Sequence, residues 1–361
     1  MQWEIWGVFG DLELHKLTHF NMKIRRHCDT YNFIGDTENG VTFRWGANLK
    51  DNPLFAPHPE LVDISISNHC SKVCSFCYRN STKNNSFMTL DDYCSILDSL
   101  QHPKWGNVFQ IAIGGGEPLE HPNFIDIINS TYARNIVPNF TTNGGLINET
   151  IAKEISSKVG AVAISCQNIA ELDVEKVSIL SEFGVKTNIH FLLNSNTLLQ
   201  AIDILNGQYN KSLTNINAII FLTYKPCGRA DESNILSLND DFLNFVGKID
   251  NSMCNIKIGF DACFVPNLMR YTKVNTDYID PCECAFFSVY IDEKMNVKPC
   301  SFTTNESESF NLKDFSFEEI WDVKFEKIRK SRINNCESNC KLKSECRGGC
   351  PYFEKINTCY S

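Results

Sequence analysis

Three closely spaced cysteines are the residues whose pattern most clearly predicts chemistry. Cys70, Cys74 and Cys77 follow the pattern C-x3-C-x2-C, directly after the apolar run 61–66. Three thiolates at this spacing can bind three irons of a [4Fe–4S] cubane and leave the fourth iron open. A structural zinc ion would need four protein ligands, and no fourth cysteine lies nearby in the sequence. The triplet therefore favours an iron–sulfur site with an open position.

A glycine-rich segment follows about forty residues later, at the end of the second apolar run. Residues 114–118 read Gly-Gly-Gly-Glu-Pro. Gly115 and Gly116 would let the backbone approach a ligand closely. The carboxylate of Glu117 suits an ammonium partner. Taken alone, the segment is equally consistent with a tight turn.

Together, the triplet and the glycine-rich segment resemble the signature of the radical S-adenosylmethionine (radical SAM) superfamily. The resemblance implies that Cys70, Cys74 and Cys77 hold a [4Fe–4S] cluster whose open iron chelates S-adenosylmethionine. It further implies that Gly115, Gly116 and Glu117 bind the methionine end of that cofactor. One electron then splits the S–C5′ bond, and the resulting 5′-deoxyadenosyl radical abstracts a hydrogen atom from the substrate.

The elements that position these residues alternate between apolar and helical patterns from about residue 61. Six strands separated by five helical patterns predict an α/β fold with a parallel sheet. The resemblance makes this a partial (β/α)6 TIM-like barrel, whose chemistry lies at the carboxyl ends of the strands. The predicted strands are 61–66, 109–115, 137–144, 161–167, 187–193 and 217–224, and the predicted helices between them are 89–100, 122–133, 148–158, 171–183 and 196–206.

Polar residues at the strand ends are candidates for holding the cofactor. Asn143, Ser165 and His190 occupy such positions, and Tyr78 follows the cysteine triplet directly. Residues 142–144 also form a good turn sequence, and a lone histidine is more often a core residue than a ligand.

The C-terminal region contains nine more cysteines, enough for two four-ligand clusters with one left over. It resembles the SPASM extension of radical enzymes that modify peptides and proteins. The resemblance implies that Cys282, Cys300 and Cys350 hold a first auxiliary [4Fe–4S] cluster together with either Cys263 or Cys284. A second auxiliary cluster would be held by Cys336, Cys340, Cys346 and Cys359.

Two features depart from that pattern. Met295 replaces the glycine usual before the cluster cysteine, and the quartet opens C-x3-C instead of C-x2-C. Two zinc sites are the structural alternative, because cysteine quartets are not unique to iron. The predicted boundaries are a strand-rich segment 1–60, a radical SAM barrel 61–230, a connecting helical segment 231–262 and an auxiliary-cluster domain 263–361.

The auxiliary region makes modification of a ribosomally made peptide the leading hypothesis. Residues 1–60, or a separate partner, would bind the leader of that peptide. The alternatives are an enzyme that matures sulfatases by forming formylglycine, and a non-catalytic electron carrier with three clusters. Tyr224, Lys225 and Arg229 lie at or after the end of the sixth predicted strand and are the candidates for substrate deprotonation. Lys225 and Arg229 are also consistent with ordinary solvated or cofactor-neighbouring charges.

Composition and charge limit the partners and the cellular location that we expect for the protein. A net charge of −9 without a basic run argues against a nucleic-acid partner. The chain has no apolar segment of about 20 residues and begins without a basic, apolar signal sequence, so we expect no membrane span and a cytoplasmic location. Seventeen cysteines in a reducing compartment favour metal over disulfides. The expected electron donor is a flavodoxin or ferredoxin.

Overall fold

The computed structural model describes residues 24–37, 40–276, 279–333, 340–342 and 346–358. Its N-terminal part is a three-stranded antiparallel sheet of β1 (Ile24–Cys28), β2 (Tyr31–Gly35) and β3 (Thr42–Trp45). Arg44 on β3 forms ion pairs with Glu60, Asp280 and Glu283 at 2.8, 2.7 and 2.9 Å. These contacts fasten the small sheet to the start of the main sheet and to the C-terminal region.

The six strands predicted between residues 61 and 224 form one parallel sheet. They are β4 (Leu61–Ser65), β5 (Gln110–Gly114), β6 (Val137–Thr142), β7 (Val162–Cys166), β8 (Thr187–Leu193) and β9 (Ala218–Thr223). Each strand pairs in parallel with the next in the sequence. Their apolar runs are buried, as expected for parallel strands that are covered on both faces.

The helices that cover this sheet follow the predicted pattern. Thr89 caps the first of them by accepting a hydrogen bond from the Asp92 amide. Within the described ranges, no helix is long and apolar enough to cross a membrane. The helices of this part are α1 (Leu90–Ser99), α2 (Phe124–Ala133), α3 (Glu149–Ile155), α4 (Val174–Glu182), α5 (Leu198–Leu205) and α6 (Asp240–Ile249).

The main sheet extends beyond the six predicted strands at both edges. β10 (Lys257–Phe260) pairs in parallel with β9, and β11 (Ser288–Ile291) pairs in parallel with β4. β10 lies within the segment 231–262, which we predicted as a helical connection. The free edge of β11 pairs with β12 (Asn296–Lys298), and β12 pairs with β13 (Phe310–Asn311). The described strands therefore form an open sheet in the order β10-β9-β8-β7-β6-β5-β4-β11-β12-β13.

The turn between β11 and β12 contains Met295, which replaces the glycine usual in the SPASM pattern. Met295 has φ +66°, a conformation that glycine adopts without strain and other residues rarely adopt. The Asp292 carboxylate accepts hydrogen bonds from the Lys294 and Asn296 amides, both at 3.0 Å. These bonds support the turn in spite of the methionine side chain. The turn thus has the backbone shape that favours glycine, although the sequence lacks it.

The C-terminal helices pack the cysteine-rich region onto the barrel. α7 (Val265–Tyr271) follows β10 directly. The Ser316 hydroxyl accepts a hydrogen bond from the Glu319 amide at 3.1 Å and so caps the next helix. This helix is α8 (Phe317–Glu319), which continues through a π-helical turn (Ile320–Lys324) into α9 (Phe325–Ile333). Trp321 is buried and donates to the Ala56 carbonyl at 3.1 Å.

Candidate functional site

One cavity of about 650 Å³ lies at the carboxyl ends of the parallel strands. Its lining includes the cysteine triplet, the glycine-rich segment, the ends of β6 to β9 and cysteines of the C-terminal region. This is the edge where a parallel barrel places its chemistry. The structure thus brings together groups that are distant in the sequence.

The loop 66–82, which we call the cysteine loop, presents three free thiols to the cavity. Cys70, Cys74 and Cys77 are half-buried and line the cavity. Burial raises the pKa of the Cys70 and Cys74 thiols. A bound metal would have to supply the stabilisation of the thiolate form, as a coordinating cation does. Three accessible thiols on one short loop fit the three-cysteine ligand set of an open cubane.

Glu120 fixes the start of the cysteine loop. Its carboxylate accepts a hydrogen bond from the Ser71 amide at 2.9 Å and lies 3.1 Å from the His69 ring. The Ser71 hydroxyl bonds to the same carboxylate. These contacts restrain the backbone on both sides of Cys70.

Arg229 fixes the rest of the cysteine loop. Its Nε donates to the Cys74 carbonyl at 2.7 Å, and its Nη1 donates to the Ser81 carbonyl at 2.9 Å. Its backbone amide donates to the Cys77 carbonyl, also at 2.9 Å. Gly228 has φ +69°, and a Cβ there would overlap the carbonyl of Cys77. The sequence allowed an active-site residue or an ordinary charge at position 229, and the structure gives Arg229 a specific structural role at the cysteine loop.

The glycine-rich segment packs directly on the cysteine loop. The Gly116 amide donates to the Ser67 carbonyl and the Glu117 amide donates to the His69 carbonyl, both at 2.8 Å. A Cβ on Gly115 would overlap the Ser67 carbonyl, and one on Gly116 would overlap that of His69. Only glycine allows this approach, which places both backbone segments on the same cavity.

Glu117 is more enclosed than its predicted role suggests. The residue is 2% exposed, and its carboxylate accepts hydrogen bonds from the Thr142 hydroxyl at 2.6 Å and the Asn143 amide at 2.7 Å. A third bond comes from the Leu119 amide at 3.1 Å. Burial raises the pKa of Glu117, and the hydrogen bonds oppose that rise. The carboxylate therefore joins the end of β5 to the end of β6, and contact with a ligand ammonium stays a prediction.

The other strand-end candidates all line the cavity. Ser165 and His190 lie side by side in the register of β7 and β8. The Asn143 side chain accepts a bond from the Gly145 amide at 2.9 Å. Burial lowers the pKa of His190 to about 3, so its imidazole is neutral at physiological pH. A neutral imidazole can donate one hydrogen bond and accept another.

Tyr78 lies between the cysteine loop and the C-terminal region. Its ring packs on Phe302, with 4.6 Å between ring centroids. Burial raises the pKa of Tyr78 to about 12. The residue lines the cavity as a neutral aromatic side chain.

Tyr224 and Lys225, proposed for substrate deprotonation, both form hydrogen bonds within the protein. The Tyr224 hydroxyl donates to the Asp231 carbonyl at 2.8 Å. The Lys225 ammonium donates to the Asp261 carboxylate at 2.8 Å and to the Thr223 carbonyl at 2.9 Å. Burial lowers the pKa of Lys225, but the Asp261 charge outweighs it, so the net pKa is raised. A lysine held in its charged form cannot accept a proton at neutral pH, which argues against Lys225 as the base.

Five cysteines of the C-terminal region line the same cavity, and we call this group the first auxiliary site. Cys284 lies 3.3 Å from Cys282 and is hydrogen-bonded to Cys300. Cys263 is hydrogen-bonded to Cys350. Both candidates for the fourth ligand, Cys263 and Cys284, therefore lie in this group.

The arrangement of these thiols bears on the metal. In the described part of the chain, no three Cys, His, Asp or Glu side chains form a ready site for one metal ion. Cys284 contacts both Cys282 and Cys300, so these three thiols lie together. An iron–sulfur cluster at this site stays a prediction, with zinc as the alternative.

The second auxiliary site is only partly described. Cys336 and Cys359 lie outside the described residues. Cys340 is exposed and Cys346 is buried. This ligand set stays a prediction.

Comparison with known families agrees with this site. Residues 64–221 match the family model of the Radical SAM superfamily, and that range includes the cysteine triplet and the glycine-rich segment. The chain carries a radical SAM domain. The match covers residues 64–221, which are less than half of the chain.

Curated relatives resemble parts of the chain. An S-adenosylmethionine-dependent nucleotide dehydratase of Selenomonas ruminantium is 26% identical over 166 residues, which are 44% of this chain and 57% of that protein. The mycofactocin maturase MftC of Mycobacterium ulcerans is 30% identical over 100 residues, 27% of this chain and 26% of the maturase. The chain thus matches less than two thirds of the length of either relative.

A solved structure resembles nearly the whole chain. Streptococcus suis SuiB bound to precursor peptide SuiA has a TM-score of 0.69 and 15% sequence identity, covering 94% of this chain and 98% of SuiB. At this identity the likeness establishes the fold. It confirms the α/β architecture with a parallel central sheet, and the radical SAM domain is the barrel within it.

Proposed function

We propose that this chain cleaves S-adenosylmethionine reductively and uses the resulting radical to modify a ribosomally synthesised peptide. The observation that carries the proposal is the shared cavity, which is lined by the cysteine triplet, the glycine-rich segment and the first auxiliary site. A radical generated at the triplet and a substrate held near the auxiliary cysteines would meet in this one cavity.

The residues of the cavity have separate tasks in this proposal. Cys70, Cys74 and Cys77 would hold the catalytic cluster, and Arg229 would keep their loop in place. When bound, the cluster and S-adenosylmethionine supply an electron transfer that produces a hydrogen-abstracting radical. The backbone of the glycine-rich segment would position the methionine end beside that cluster. The protein's main contributions are orientation and the exclusion of water.

The strand-end residues suit the remainder of the cofactor. Ser165, Asn143 and His190 would present hydroxyl, amide and neutral imidazole groups to hydroxyl or carboxylate groups of S-adenosylmethionine. Uncharged donors and acceptors bind such groups without the cost of burying an unpaired charge. Tyr78 would close the cavity beside Phe302.

The similarity to known peptide-modifying proteins supports a peptide substrate. SuiB has been solved with its precursor peptide, and MftC is a maturase. The N-terminal sheet, with strand edges at β1 and β3, is the proposed site for the leader, which would add a strand to it. A separate leader-binding protein is the other arrangement, and a flavodoxin or ferredoxin would supply the electrons.

The auxiliary clusters would accept the electrons that substrate oxidation releases. The first would be held by Cys282, Cys300 and Cys350 with either Cys263 or Cys284, next to the radical cavity. The second would be held by the C-terminal quartet. We expect about twelve irons per chain when all three [4Fe–4S] clusters are present.

The proposal is tested with anaerobically reconstituted protein. The protein is incubated with S-adenosylmethionine, a reductant and a short precursor peptide encoded beside its gene. We expect 5′-deoxyadenosine and a peptide that has lost hydrogen atoms but kept its sulfur. Conversion of a sulfatase-derived cysteine to formylglycine, with loss of sulfur, would favour the sulfatase-maturing alternative. Absence of 5′-deoxyadenosine from fully loaded protein would favour the electron carrier.

A further inference from the structure

Arg332 contacts the first auxiliary site from outside the cavity lining. It lies on α9 and is 5% exposed. Its Nη1 donates to the Cys284 carbonyl at 2.8 Å, and its guanidinium is hydrogen-bonded to the Cys282 thiol. One side chain therefore contacts both cysteines of the C-x-C segment, about fifty residues earlier in the chain.

The charge of Arg332 has no carboxylate partner among the residues that the structure describes. Its Nη2 is buried and has no hydrogen-bond partner there. Arg44, which approaches the same segment, is instead surrounded by Glu60, Asp280 and Glu283. A buried guanidinium without a counter-charge is costly, so its surroundings should supply an anion.

In the proposed function, the anion nearest to Arg332 would be the first auxiliary cluster with its thiolate ligands. Cubanes with four thiolate ligands carry net negative charge, and hydrogen bonds to their sulfurs tune the reduction potential. A neighbouring cation favours the reduced state, which carries one more negative charge.

We propose that Arg332 is a positioning residue that orients Cys282 and Cys284 and raises the reduction potential of the first auxiliary cluster. This inference rests on the auxiliary cluster of the proposed function. It assigns to α9 an electronic role in addition to its packing role. Nothing in the sequence pattern around position 332 indicates it, because the contact depends on the fold.

Arg329 provides a matched control on the same helix. It is 5% exposed, like Arg332, but donates to the Ala285 and Trp321 carbonyls at 2.5 and 2.7 Å. Its substitution should disturb packing without removing a donor from a cluster thiol. A comparison of the two arginines therefore separates the electronic role from helix anchoring.

The test uses the full chain with Cys70, Cys74 and Cys77 replaced by Ala, so that only auxiliary clusters remain. The first auxiliary cluster is identified as the electron paramagnetic resonance signal that Cys300→Ala removes. Potentiometric titration of that signal is then compared in R332Q, R332M, R332K and R329Q. Two neutral variants at position 332 ensure that the result does not depend on one of them folding.

We expect R332Q and R332M to lower the equilibrium constant for one-electron reduction of the cluster about tenfold. This corresponds to a reduction potential lower by about 59 mV. R332K should stay near the parent value, and R329Q should not shift it. The proposal is wrong if the neutral and charged variants shift the potential equally, if none does, or if R329Q shifts it as much. If the chain with Cys70, Cys74 and Cys77 replaced by Ala holds no iron, the auxiliary cluster is refuted, and this inference with it.

Discussion

The guanidinium of Arg229 donates a 2.7 Å hydrogen bond to the carbonyl of Cys74, a residue 155 positions earlier in the chain. With the bonds from the same residue to Ser81 and Cys77, it holds the cysteine loop against the end of β9. The ligand loop is thereby fixed by the segment that follows β9. This contact makes the geometry of the triplet depend on a residue outside the motif.

Replacing Arg229 with Met should loosen the cysteine loop. Hydrogen bonds from a charged group contribute roughly 1.5–3 kcal/mol, so we expect a loss of about 2 kcal/mol in the free energy of unfolding. Iron bound at the triplet should fall in parallel. Urea unfolding and iron analysis measure both effects.

Arg134→Met is the control for Arg229→Met. Arg134 forms a partly exposed pair with Asp98, and such pairs contribute about 0–1 kcal/mol. Equal effects of the two substitutions would show that Arg229 has no special role in the loop.

Replacing Glu117 with Gln should weaken both the strand ends and cofactor binding. The amide group of Gln would face the Asn143 amide or the Thr142 hydroxyl, where the carboxylate now accepts hydrogen bonds. We expect the dissociation constant for S-adenosylmethionine to rise about ten- to a hundredfold, corresponding to roughly 1.5–3 kcal/mol. Calorimetric titration and thermal unfolding measure the two effects.

Thr142→Val separates the two roles of Glu117. It removes one donor to the carboxylate and leaves its charge unchanged. A stability loss with an unchanged dissociation constant in both variants would mean that Glu117 only joins the strand ends.

Replacing Lys225 with Met should destabilise the protein by about 3–5 kcal/mol, because Asp261 would remain as an unpaired buried charge. The double variant Lys225→Met/Asp261→Asn should recover much of that loss. Denaturant unfolding of the single and double variants measures the coupling. A double variant as unstable as the single one would contradict this role of the pair.

The same pair predicts a pH dependence. The folded pKa of Lys225 is raised, so its contribution to stability is complete below the unfolded pKa of about 10.4 and is lost only as pH rises through the higher folded value. Lys225 should therefore produce no inflection in activity between about pH 6 and 9. A shift of an inflection in that range by Lys225→Arg would restore Lys225 as a candidate base.

The fourth ligand of the first auxiliary cluster can be assigned by substitution. Cys263→Ala and Cys284→Ala should differ, with only the true ligand lowering the iron content and altering the Mössbauer spectrum. Cys166→Ala is a control, since this thiol lines the cavity but lies at the end of β7. If neither substitution matters, the cluster has an open iron.

The sequence predicted the repeating part of the fold better than its edges. Long apolar runs such as residues 187–193 have a clear strand pattern, and Thr89 and Ser316 cap helices, as threonine and serine often do. β10 and β11 have only four residues each and lie among turns and cysteines, so periodicity could not reveal them. Their positions depend on pairing with β9 and β4, which are distant in the sequence.

The candidate site shows the same division. Spacing alone pointed to Cys70, Cys74 and Cys77, because ligands on one loop are also neighbours in the sequence. Arg229 and Arg332 could not be assigned, since each bonds to a segment that only the fold brings near. The ion pair of Lys225 with Asp261 was missed for the same reason, and it changes the chemistry expected of that lysine.

Formation of 5′-deoxyadenosine is the most direct measure of the central claim. The parent chain and the variant with Cys70, Cys74 and Cys77 all replaced by Ala should be reconstituted anaerobically and given S-adenosylmethionine and dithionite. We predict that the parent produces 5′-deoxyadenosine, and that the variant produces none and holds about four fewer irons per chain. Continued cleavage of S-adenosylmethionine by the variant would contradict the account.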